Sequence, residues 1–254
     1  DLLKDKFVLV TGGAKGIGCA VACSMLDQGA RVMVFDRDIS PVANYQPRDK
    51  DRWMAWQVDI TDEFNVGSSV AAMVSMHGCP DVLVNNAGVD VPYAWFEAVC
   101  ENSETIWKDV INVNLHGTMR VTRQITKHML LKHVQGSIIF ITSVHTALAF
   151  PGGAAYDASK HALVGLMRNL ALELGPRGIR ANAVAPGFIY PTGITGGLSQ
   201  EDANAFAEKI PSRRYGTPED VANVAAFLAS DKASYINGAE IRVDGGLSIQ
   251  NHLF

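Results

Sequence analysis

Short apolar segments alternate with helix-like segments along the chain, and this alternation limits the possible folds more than any other feature of the sequence. Each apolar segment has the length and the β-branched composition of a buried strand. The predicted strands are Phe7–Thr11, Arg31–Phe35, Trp53–Val58, Asp81–Val84, Ser137–Thr142, Arg180–Val184 and Glu240–Val243. This alternation predicts an α/β fold, a single doubly wound parallel sheet with right-handed crossovers and helices on both faces.

The segments between the strands have the apolar periodicity of helices. The predicted helices begin near Cys19 and otherwise cover Asp62–Met76, Thr105–His133, Tyr156–Leu174 and Pro218–Ala229. A polar insert at about 188–212 separates the last two of them. No linker or repeat divides the 254 residues, so we expect one domain over residues 1–254.

Polar residues and glycines follow the predicted strands at their carboxyl ends. In open parallel sheets, ligands bind beyond these ends. The residues at these positions are Gly12, Asp36, Asp59, Asn86, Ser143 and Pro186. The sequence therefore predicts a ligand site along one edge of the sheet.

A glycine-rich turn, GGAKGIG over residues 12–18, joins the first predicted strand to the first helix. Glycine allows the sharp turn and the close approach of a pyrophosphate to the backbone. The N-terminus of the helix then presents free amides and the positive end of its dipole to that phosphate. This context predicts a dinucleotide site, and the alternative is a glycine turn without a nucleotide.

Asp36 is the predicted contact of the adenosine ribose, because it ends the second strand 18 residues beyond Gly18. Its carboxylate would accept hydrogen bonds from the ribose hydroxyls and would repel a 2′-phosphate. This favours NAD over NADP. Lys15 and Arg37 favour the opposite choice, since either cation can pair with a 2′-phosphate.

Tyr156 and Lys160 are four residues apart at the start of a predicted helix, so they lie on one helix face. A nearby lysine cation favours the phenolate, and we expect it to lower the pKa of Tyr156 towards the range of general acid–base catalysis. Ser143, at the end of a strand, is placed to hydrogen-bond the same substrate oxygen. A Tyr-x-x-x-Lys spacing also occurs by chance, so it supports a catalytic role only if the rest of the chain supplies a hydride carrier.

Composition and charge exclude several classes of function. The net charge of −4 gives no reason to expect a nucleic acid or an anionic membrane as partner. The four cysteines fit neither a disulfide framework nor a zinc site, and no metal constellation is visible. With no signal-peptide pattern and no long uncharged apolar segment, we expect a cytoplasmic protein.

A set of short motifs relates the chain to a known family. The motifs are Thr11-Gly12-x-x-x-Gly16-x-Gly18, Asn85-Asn86-Ala87-Gly88, Asn114, Ser143, Tyr156-x-x-x-Lys160 and Pro186-Gly187. In order and spacing they resemble the short-chain dehydrogenase/reductase family, from Lys6 to about Gly246. The resemblance implies a Rossmann-type sheet and NAD(P)-dependent interconversion of a secondary alcohol and a ketone.

The resemblance also implies roles for individual residues. Tyr156 becomes the acid/base, Ser143 the holder of the substrate oxygen, Lys160 a ribose contact and Asn114 the anchor of a water-linked proton relay. It places Asp59 near the adenine, Asn86 near the adenosine ribose and Ile189 near the nicotinamide amide. The full set of cofactor-binding candidates is Gly12, Lys15, Gly16, Ile17, Gly18, Asp36, Arg37, Asp59, Ile60, Asn86, Ala87, Gly88, Tyr156, Lys160, Pro186, Gly187, Ile189 and Thr192.

Two positions depart from the family pattern. Family members commonly have threonine four residues after the glycine of Pro-Gly, whereas here Pro191 takes that place and Thr192 follows. Reductases of carrier-bound 3-oxoacyl chains often have arginine within a Leu-Ala-Arg-Glu run, whereas this chain has Leu172 there.

The residues predicted to contact the substrate come from loops after the strands. They are Asp90, Trp95, His145, Gly153 and Tyr190. This mixed polar and aromatic set favours a small hydroxylated substrate such as a sugar or polyol, and some sugar dehydrogenases of the family also have Ser-Val-His here. The alternatives are a 3-oxoacyl-carrier-protein reductase or a hydroxysteroid-type dehydrogenase, and more remotely a non-catalytic nucleotide-binding scaffold.

The predicted helices 105–133 and 156–174 have more apolar surface than one sheet face can cover. The resemblance implies that such helices pair between subunits. We therefore expect a homotetramer or homodimer, with Leu253 and Phe254 near a subunit contact.

Overall fold

A parallel sheet of seven strands forms the centre of the computed structural model, which describes residues 1–43, 45, 50–90 and 103–250. The strands are β1 (Phe7–Thr11), β2 (Arg31–Asp36), β3 (Trp53–Gln57), β4 (Val82–Asn85), β5 (Gly136–Ile141), β6 (Ile179–Pro186) and β7 (Glu240–Val243). They lie in the order β3-β2-β1-β4-β5-β6-β7, and each neighbouring pair is parallel. The predicted fold class is therefore confirmed.

The order of the strands reverses at β1, since the chain adds β2 and β3 on one side of it and β4 on the other. At such a reversal the two flanking connections leave the sheet in opposite directions and open a crevice beyond the strand ends. Gly12 and Asn86 follow β1 and β4 directly at this point. The topology thus places the glycine turn at the expected ligand position.

Helices cover both faces of the sheet in the described part of the chain. They are α1 (Gly16–Asp27), α2 (Glu63–His77), α3 (Ser103–Ile111), α4 (Thr118–Leu131), α5 (Ala154–Leu174), α6 (Gln200–Glu208) and α7 (Pro218–Ala229). Alternate residues of β1 face opposite layers: Val8 packs with α1 and α7, and Leu9 with α2, α4 and α5. Both faces are buried, which explains why the strands are almost continuously apolar. None of the described helices is long and apolar enough to cross a membrane.

Two helix predictions require correction. The predicted helix Thr105–His133 is interrupted by a π-helical turn, Asn112–Gly117, and ends at Leu131. The polar insert, for which the sequence predicts no helix, contains α6, whose first turn is capped by the Ser199 hydroxyl accepting from the Asp202 amide. Such a cap satisfies an otherwise unpaired amide and stabilises a short helix.

Candidate active site

The glycine turn is braced from the neighbouring strand. The Thr11 hydroxyl accepts the backbone N–H groups of Asn86 and Ala87, both at 3.2 Å. The Asn86 side-chain amide donates to the carbonyls of Gly12 at 2.8 Å and Thr11 at 3.1 Å. Asn86 therefore fixes the shape of the turn, and its contact with an adenosine ribose stays a prediction.

The turn is too tightly packed for residues with a Cβ. Gly12 has a φ of +63°, and a Cβ there would lie 2.7 Å from the Ala87 Cα. A Cβ on Gly18 would lie only 2.1 Å from the Gly12 carbonyl oxygen. Only glycine fits at these two positions, as the sequence predicts for a turn that meets a pyrophosphate.

The N-terminus of α1 has no side-chain cap, whereas α2 is capped by Asp62 and α7 by Thr217. The residue before α1 is Lys15, an exposed cation. Unpaired amides at a helix start, next to a cation and a glycine turn, form a site for an anion. The residues present therefore fit the pyrophosphate of a dinucleotide.

Asp36 is held beside this turn by backbone groups. Its carboxylate accepts the Ala14 amide at 3.0 Å and the Asp38 amide at 3.1 Å. Hydrogen bonds from Ser40 lower the pKa of Asp38, and the nearby charges of Lys15 and Arg37 add to the effect. Acidic and basic groups thus meet at the end of β2, at the position predicted for the ribose.

Asp59 and Ile60 follow β3 on the same edge. The Asp59 carboxylate accepts the Thr61 amide at 2.8 Å and the Thr61 hydroxyl at 2.7 Å, so it caps its own loop. Ile60 is buried, and a Cβ on Gly117 would lie 2.7 Å from its side chain. The structure places both near the edge, and their contacts with an adenine stay predictions.

Ser143, Tyr156 and Lys160 come together at the end of β5. All three are buried. The Lys160 ammonium donates to the Ile141 carbonyl at 2.9 Å and lies 5.3 Å from the centre of the Tyr156 ring. The phenol, the hydroxyl and the cation thus form one group where the strand ends.

The expected lowering of the Tyr156 pKa is wrong for this structure. Burial raises the pKa of Tyr156 above its usual value, and hydrogen bonding with Ser143 only partly opposes that effect. Burial also lowers the pKa of Lys160 to about 8, because desolvation disfavours the cation. Tyr156 therefore carries its proton at neutral pH, as a proton donor to a ketone requires.

Asn114 lies in the π-helical turn, a local distortion that often occurs at functional sites. Its side-chain oxygen accepts the Val89 amide at 2.8 Å, and its amide donates to the Val89 carbonyl at 2.9 Å and the Ser159 hydroxyl at 3.1 Å. A Cβ on Gly88 would lie within 3.5 Å of both the Asn114 oxygen and the Lys160 nitrogen. The structure thus places Asn114 next to Lys160, and its part in a proton relay stays a prediction.

His145 lies beside this group, as its position two residues after Ser143 suggests. Its ring contacts the Tyr156 ring edge-on with 5.0 Å between the centres. Its Nδ1 is hydrogen-bonded to the Asp157 carboxylate. Asp157 is not among the predicted site residues, since nothing in the sequence predicts a contact across 12 residues between a loop and a helix.

Asp90 is close enough for its charge to interact with His145, Asp157 and Lys160. Burial raises the pKa of its carboxyl group, and the attraction of His145 opposes this. Three of the predicted substrate residues, Asp90, His145 and Gly153, therefore lie around Tyr156 or Asp157. Trp95 lies outside the described residues.

The segment after β6 packs at the carboxyl edge of the sheet, next to the glycine turn. A Cβ on Gly187 would lie 2.7 Å from the Asp244 Cα, and Ile189 is buried in a bridge to Gly216. Thr192 reaches the glycine turn, since a Cβ on Gly16 would lie 3.7 Å from its Cα. Thr192 therefore lies next to the glycine turn despite the shifted register, and its contact with a pyrophosphate stays a prediction.

Tyr190 and Pro186 have structural partners in the same segment. The Tyr190 hydroxyl donates to the Leu198 carbonyl at 3.3 Å, inside the insert. Pro186 is the last residue of β6 and lies beside Val243. A substrate contact by Tyr190 stays a prediction.

Comparison with known proteins identifies the family. A family model described as enoyl-(acyl carrier protein) reductase matches residues 12–248, nearly the whole chain. The chain belongs to the short-chain dehydrogenase/reductase family. As a member, it is an oxidoreductase that acts on CH–OH groups and binds a nicotinamide cofactor. The predicted family and reaction class are confirmed.

Two curated family members named 3-oxoacyl-(acyl-carrier-protein) reductase FabG are similar over their full length. The protein of Staphylococcus epidermidis is 38% identical over 248 residues, which cover 96% of this chain and 99% of the relative. The protein of Thermotoga maritima is 38% identical over 253 residues, with 97% and 99% covered. These relatives support the 3-oxoacyl-reductase alternative better than the sugar or polyol interpretation that the loop residues favour.

Solved structures of the family include sugar-related enzymes. The ligand-free aldohexose dehydrogenase of Thermoplasma acidophilum has a TM-score of 0.88 and 32% identity, covering 99% of this chain and 97% of its own. The gluconate 5-dehydrogenase of Burkholderia cenocepacia, solved with NADP and tartrate, has a TM-score of 0.89 and 28% identity, with 98% and 97% covered. The fold is thus shared by enzymes with different substrates.

Proposed function

We propose that this protein interconverts a 3-oxoacyl thioester and a 3-hydroxyacyl thioester, with a nicotinamide cofactor. The observation that carries this proposal is the 38% identity to two 3-oxoacyl reductases over at least 96% of the chain. The group formed by Ser143, Tyr156 and Lys160 agrees with it, since each is buried at the expected edge. A non-catalytic scaffold would have no need of all three.

The cofactor, when bound, carries the hydride. The uncapped amides of α1 would bind its pyrophosphate, and Asp36 its adenosine ribose. Tyr156 would donate its proton to the ketone oxygen as the alcohol forms, and Ser143 would hold that oxygen by a hydrogen bond. Lys160 is fixed by the Ile141 carbonyl and would reach the nicotinamide ribose beside Tyr156.

A sugar or polyol is the second candidate substrate. The ionisable residues Asp90 and His145 near Tyr156 favour a ligand with several hydroxyls. The two sugar-related structures support the same idea. Leu172, exposed where related 3-oxoacyl reductases often have a docking arginine, also weakens the case for a carrier protein.

Turnover by the purified protein decides between the two. We expect oxidation of NADH or NADPH on addition of acetoacetyl-N-acetylcysteamine, a small 3-oxoacyl thioester. The same protein is then tested with aldohexoses, gluconate and polyols in the presence of NAD or NADP. Turnover of the sugars or polyols but not of the thioester would overturn the proposed function.

We propose that NAD is preferred over NADP. The Asp36 carboxylate, held at the predicted ribose position, would repel a 2′-phosphate, although Lys15 and Arg37 reduce this effect and two structural neighbours were solved with NADP. Asp36→Ala should lower kcat/KM for NADH by about 10- to 100-fold, the range for hydrogen bonds to a charged group, and raise it for NADPH.

Asp38→Ala is the matched control for cofactor choice, because Asp38 is an exposed carboxylate two residues away that binds the Ser40 amide. This substitution should change kcat/KM for NADH and for NADPH by no more than about twofold. A wild-type protein that uses NADPH more efficiently than NADH would show that the two basic residues decide the choice.

We also propose that the protein forms a homotetramer or homodimer. The described parts of α4 and α5 expose apolar side chains, notably Leu131 at 67% and Leu172 at 79% of their surface. Exposed apolar side chains on two helices that pack on the same core layer favour a subunit contact. Leu253 and Phe254, expected near this contact, lie outside the described residues. Light scattering at micromolar concentration should show a mass of two or four chains, and a clean monomer would contradict the proposal.

A further inference from the structure

A pair of ionisable side chains lies against the proposed proton donor without a part in the chemistry described above. His145 and Asp157 come from different elements, the turn after β5 and the first turn of α5. Their side chains are 19% and 17% exposed, so both border solvent-accessible space beside the buried Tyr156. A buried site that keeps such a pair next to its reacting oxygen can use it to bind substrate.

The ring of His145 is held on three sides. Its backbone amide donates to the Ser143 hydroxyl at 3.2 Å, which ties the residue to the proposed oxygen holder. Phe150 lies against the ring with 4.3 Å between the centres, and Tyr156 lies edge-on at 5.0 Å. The hydrogen bond of Nδ1 to Asp157 fixes the rotation of the ring.

Asp157, which orients the ring, is itself fixed in position by Gly153. Its amide donates to the Gly153 carbonyl at 2.7 Å, which places the residue in the first turn of α5. A Cβ on Gly153 would lie 3.0 Å from the Asp157 carboxylate oxygen, so a larger residue there would push the carboxylate away. Gly153, predicted as a substrate residue, therefore acts on the pair through Asp157.

The second ring nitrogen of His145, Nε2, is the one that a ligand can contact. Nδ1 is bonded to Asp157, and Nε2 has no hydrogen-bond partner among the described residues. When both nitrogens are protonated, Nδ1 donates to Asp157 and Nε2 donates outward. The carboxylates of Asp157 and Asp90 face the ring from α5 and from the segment after β4, and Lys160 adds a cation nearby.

A 3-oxoacyl thioester has two carbonyl oxygens separated by three carbons. If Ser143 and Tyr156 hold the reacting oxygen, the second oxygen must lie within a few ångströms of it. The His145 ring contacts the Tyr156 ring, and the His145 amide donates to the Ser143 hydroxyl, so this imidazole borders the place of the second oxygen. A buried carbonyl without a donor would be costly, so a donor at this place adds specificity.

We propose that the doubly protonated ring of His145 donates a hydrogen bond from Nε2 to the second oxygen of the substrate, the thioester carbonyl, and that Asp157 is the positioning residue that accepts from Nδ1 and orients the ring. This inference rests on the proposed function. It makes the site selective for ketones that carry a second oxygen two carbons from the reacting carbon.

Two substrates that differ only in the second oxygen test the contact. The first is acetoacetyl-N-acetylcysteamine, and the second is the same compound with CH₂ in place of the thioester carbonyl. The wild-type protein should prefer the first in kcat/KM. His145→Asn should lower kcat/KM for the thioester by about 10- to 100-fold and change that for the CH₂ analogue by less than about threefold.

The choice of variants separates recognition from structure. Asparagine places its amide near Nδ1, so it can retain the bond to Asp157 while it removes the Nε2 donor. His145→Gln places an amide near Nε2 and should restore part of the preference for the thioester. Asp157→Ala should reduce the preference less than His145→Asn, because the donor remains but is no longer oriented. Cofactor affinity, measured by nicotinamide fluorescence, should not change in any of them.

The two proposals fail in different ways. Equal losses on both substrates in His145→Asn would overturn the contact and leave the proposed function standing. No turnover of the thioester by the wild-type protein would overturn the proposed function. In that case, the ratio of kcat/KM for 4-hydroxy-2-butanone to kcat/KM for 2-butanone tests the contact. An unchanged ratio in His145→Asn would overturn the contact, and a reduced ratio would support it for hydroxyketones.

Discussion

Tyr156→Phe is expected to lower turnover by about 10²- to 10⁴-fold, the range that a positioned general acid contributes. The substitution keeps the buried ring and removes only the hydroxyl that carries the proton. Cofactor affinity should survive, because no part of the glycine turn depends on that hydroxyl. Steady-state turnover and nicotinamide fluorescence measure the two effects separately.

The raised pKa of Tyr156 strengthens this prediction for the reductive direction. Burial keeps the phenol protonated at neutral pH, so a proton is available when the ketone oxygen gains charge. Tyr235→Phe is the matched control, since that tyrosine is fully exposed at 102% of its reference surface. It should leave turnover unchanged. Near-normal turnover in Tyr156→Phe would remove this residue from the mechanism.

Gly18→Ala is expected to abolish tight cofactor binding, with the dissociation constant weakened by at least about 100-fold, as misplacement of a binding group by about an ångström can cause. The added Cβ would lie 2.1 Å from the Gly12 carbonyl oxygen and 2.3 Å from the Asn86 amide nitrogen. One contact is with backbone and the other with the amide that braces the turn. The turn must therefore shift, which also costs about 1 to 3 kcal/mol of stability.

Gly67→Ala provides the matched control for a glycine in a helix. Gly67 lies within α2, where the added Cβ would meet only the end of Gln124 at 3.8 Å. Alanine there should stabilise the fold by about 0.5 to 1 kcal/mol and leave cofactor binding unchanged. Thermal unfolding and nicotinamide fluorescence test both variants. Normal cofactor affinity in Gly18→Ala would show that the turn tolerates the shift and does not bind the pyrophosphate closely.

The types of side chain near the site do not by themselves identify the substrate. His145 after Ser143 suggested a hydroxylated substrate, whereas the full-length relatives are 3-oxoacyl reductases. An imidazole can accept from a hydroxyl or donate to a carbonyl, so the residue type is compatible with both. The partner on its other nitrogen, Asp157, comes from a different element and becomes visible only in the folded chain.

Features that are encoded within a few neighbouring residues can be predicted from the sequence alone. The seven strands follow from short β-branched segments, and the site edge follows from the polar residues that end them. The glycine turn and the spacing of Tyr156 and Lys160 are equally local, since one turn of helix sets the distance between that pair. These features needed no knowledge of the packing.

Burial and contacts between distant segments appear only in the tertiary structure. The π-helical turn at Asn112–Gly117 places Asn114 against Val89 and Ser159, and the Asn86 amide braces the glycine turn. The Tyr156 pKa rises because the fold removes the phenol from water, and the charges of Asp90 and Asp157 add to the rise. Desolvation and long-range hydrogen bonds arise only when the chain is packed, and the spacing between Tyr156 and Lys160 could not reveal them.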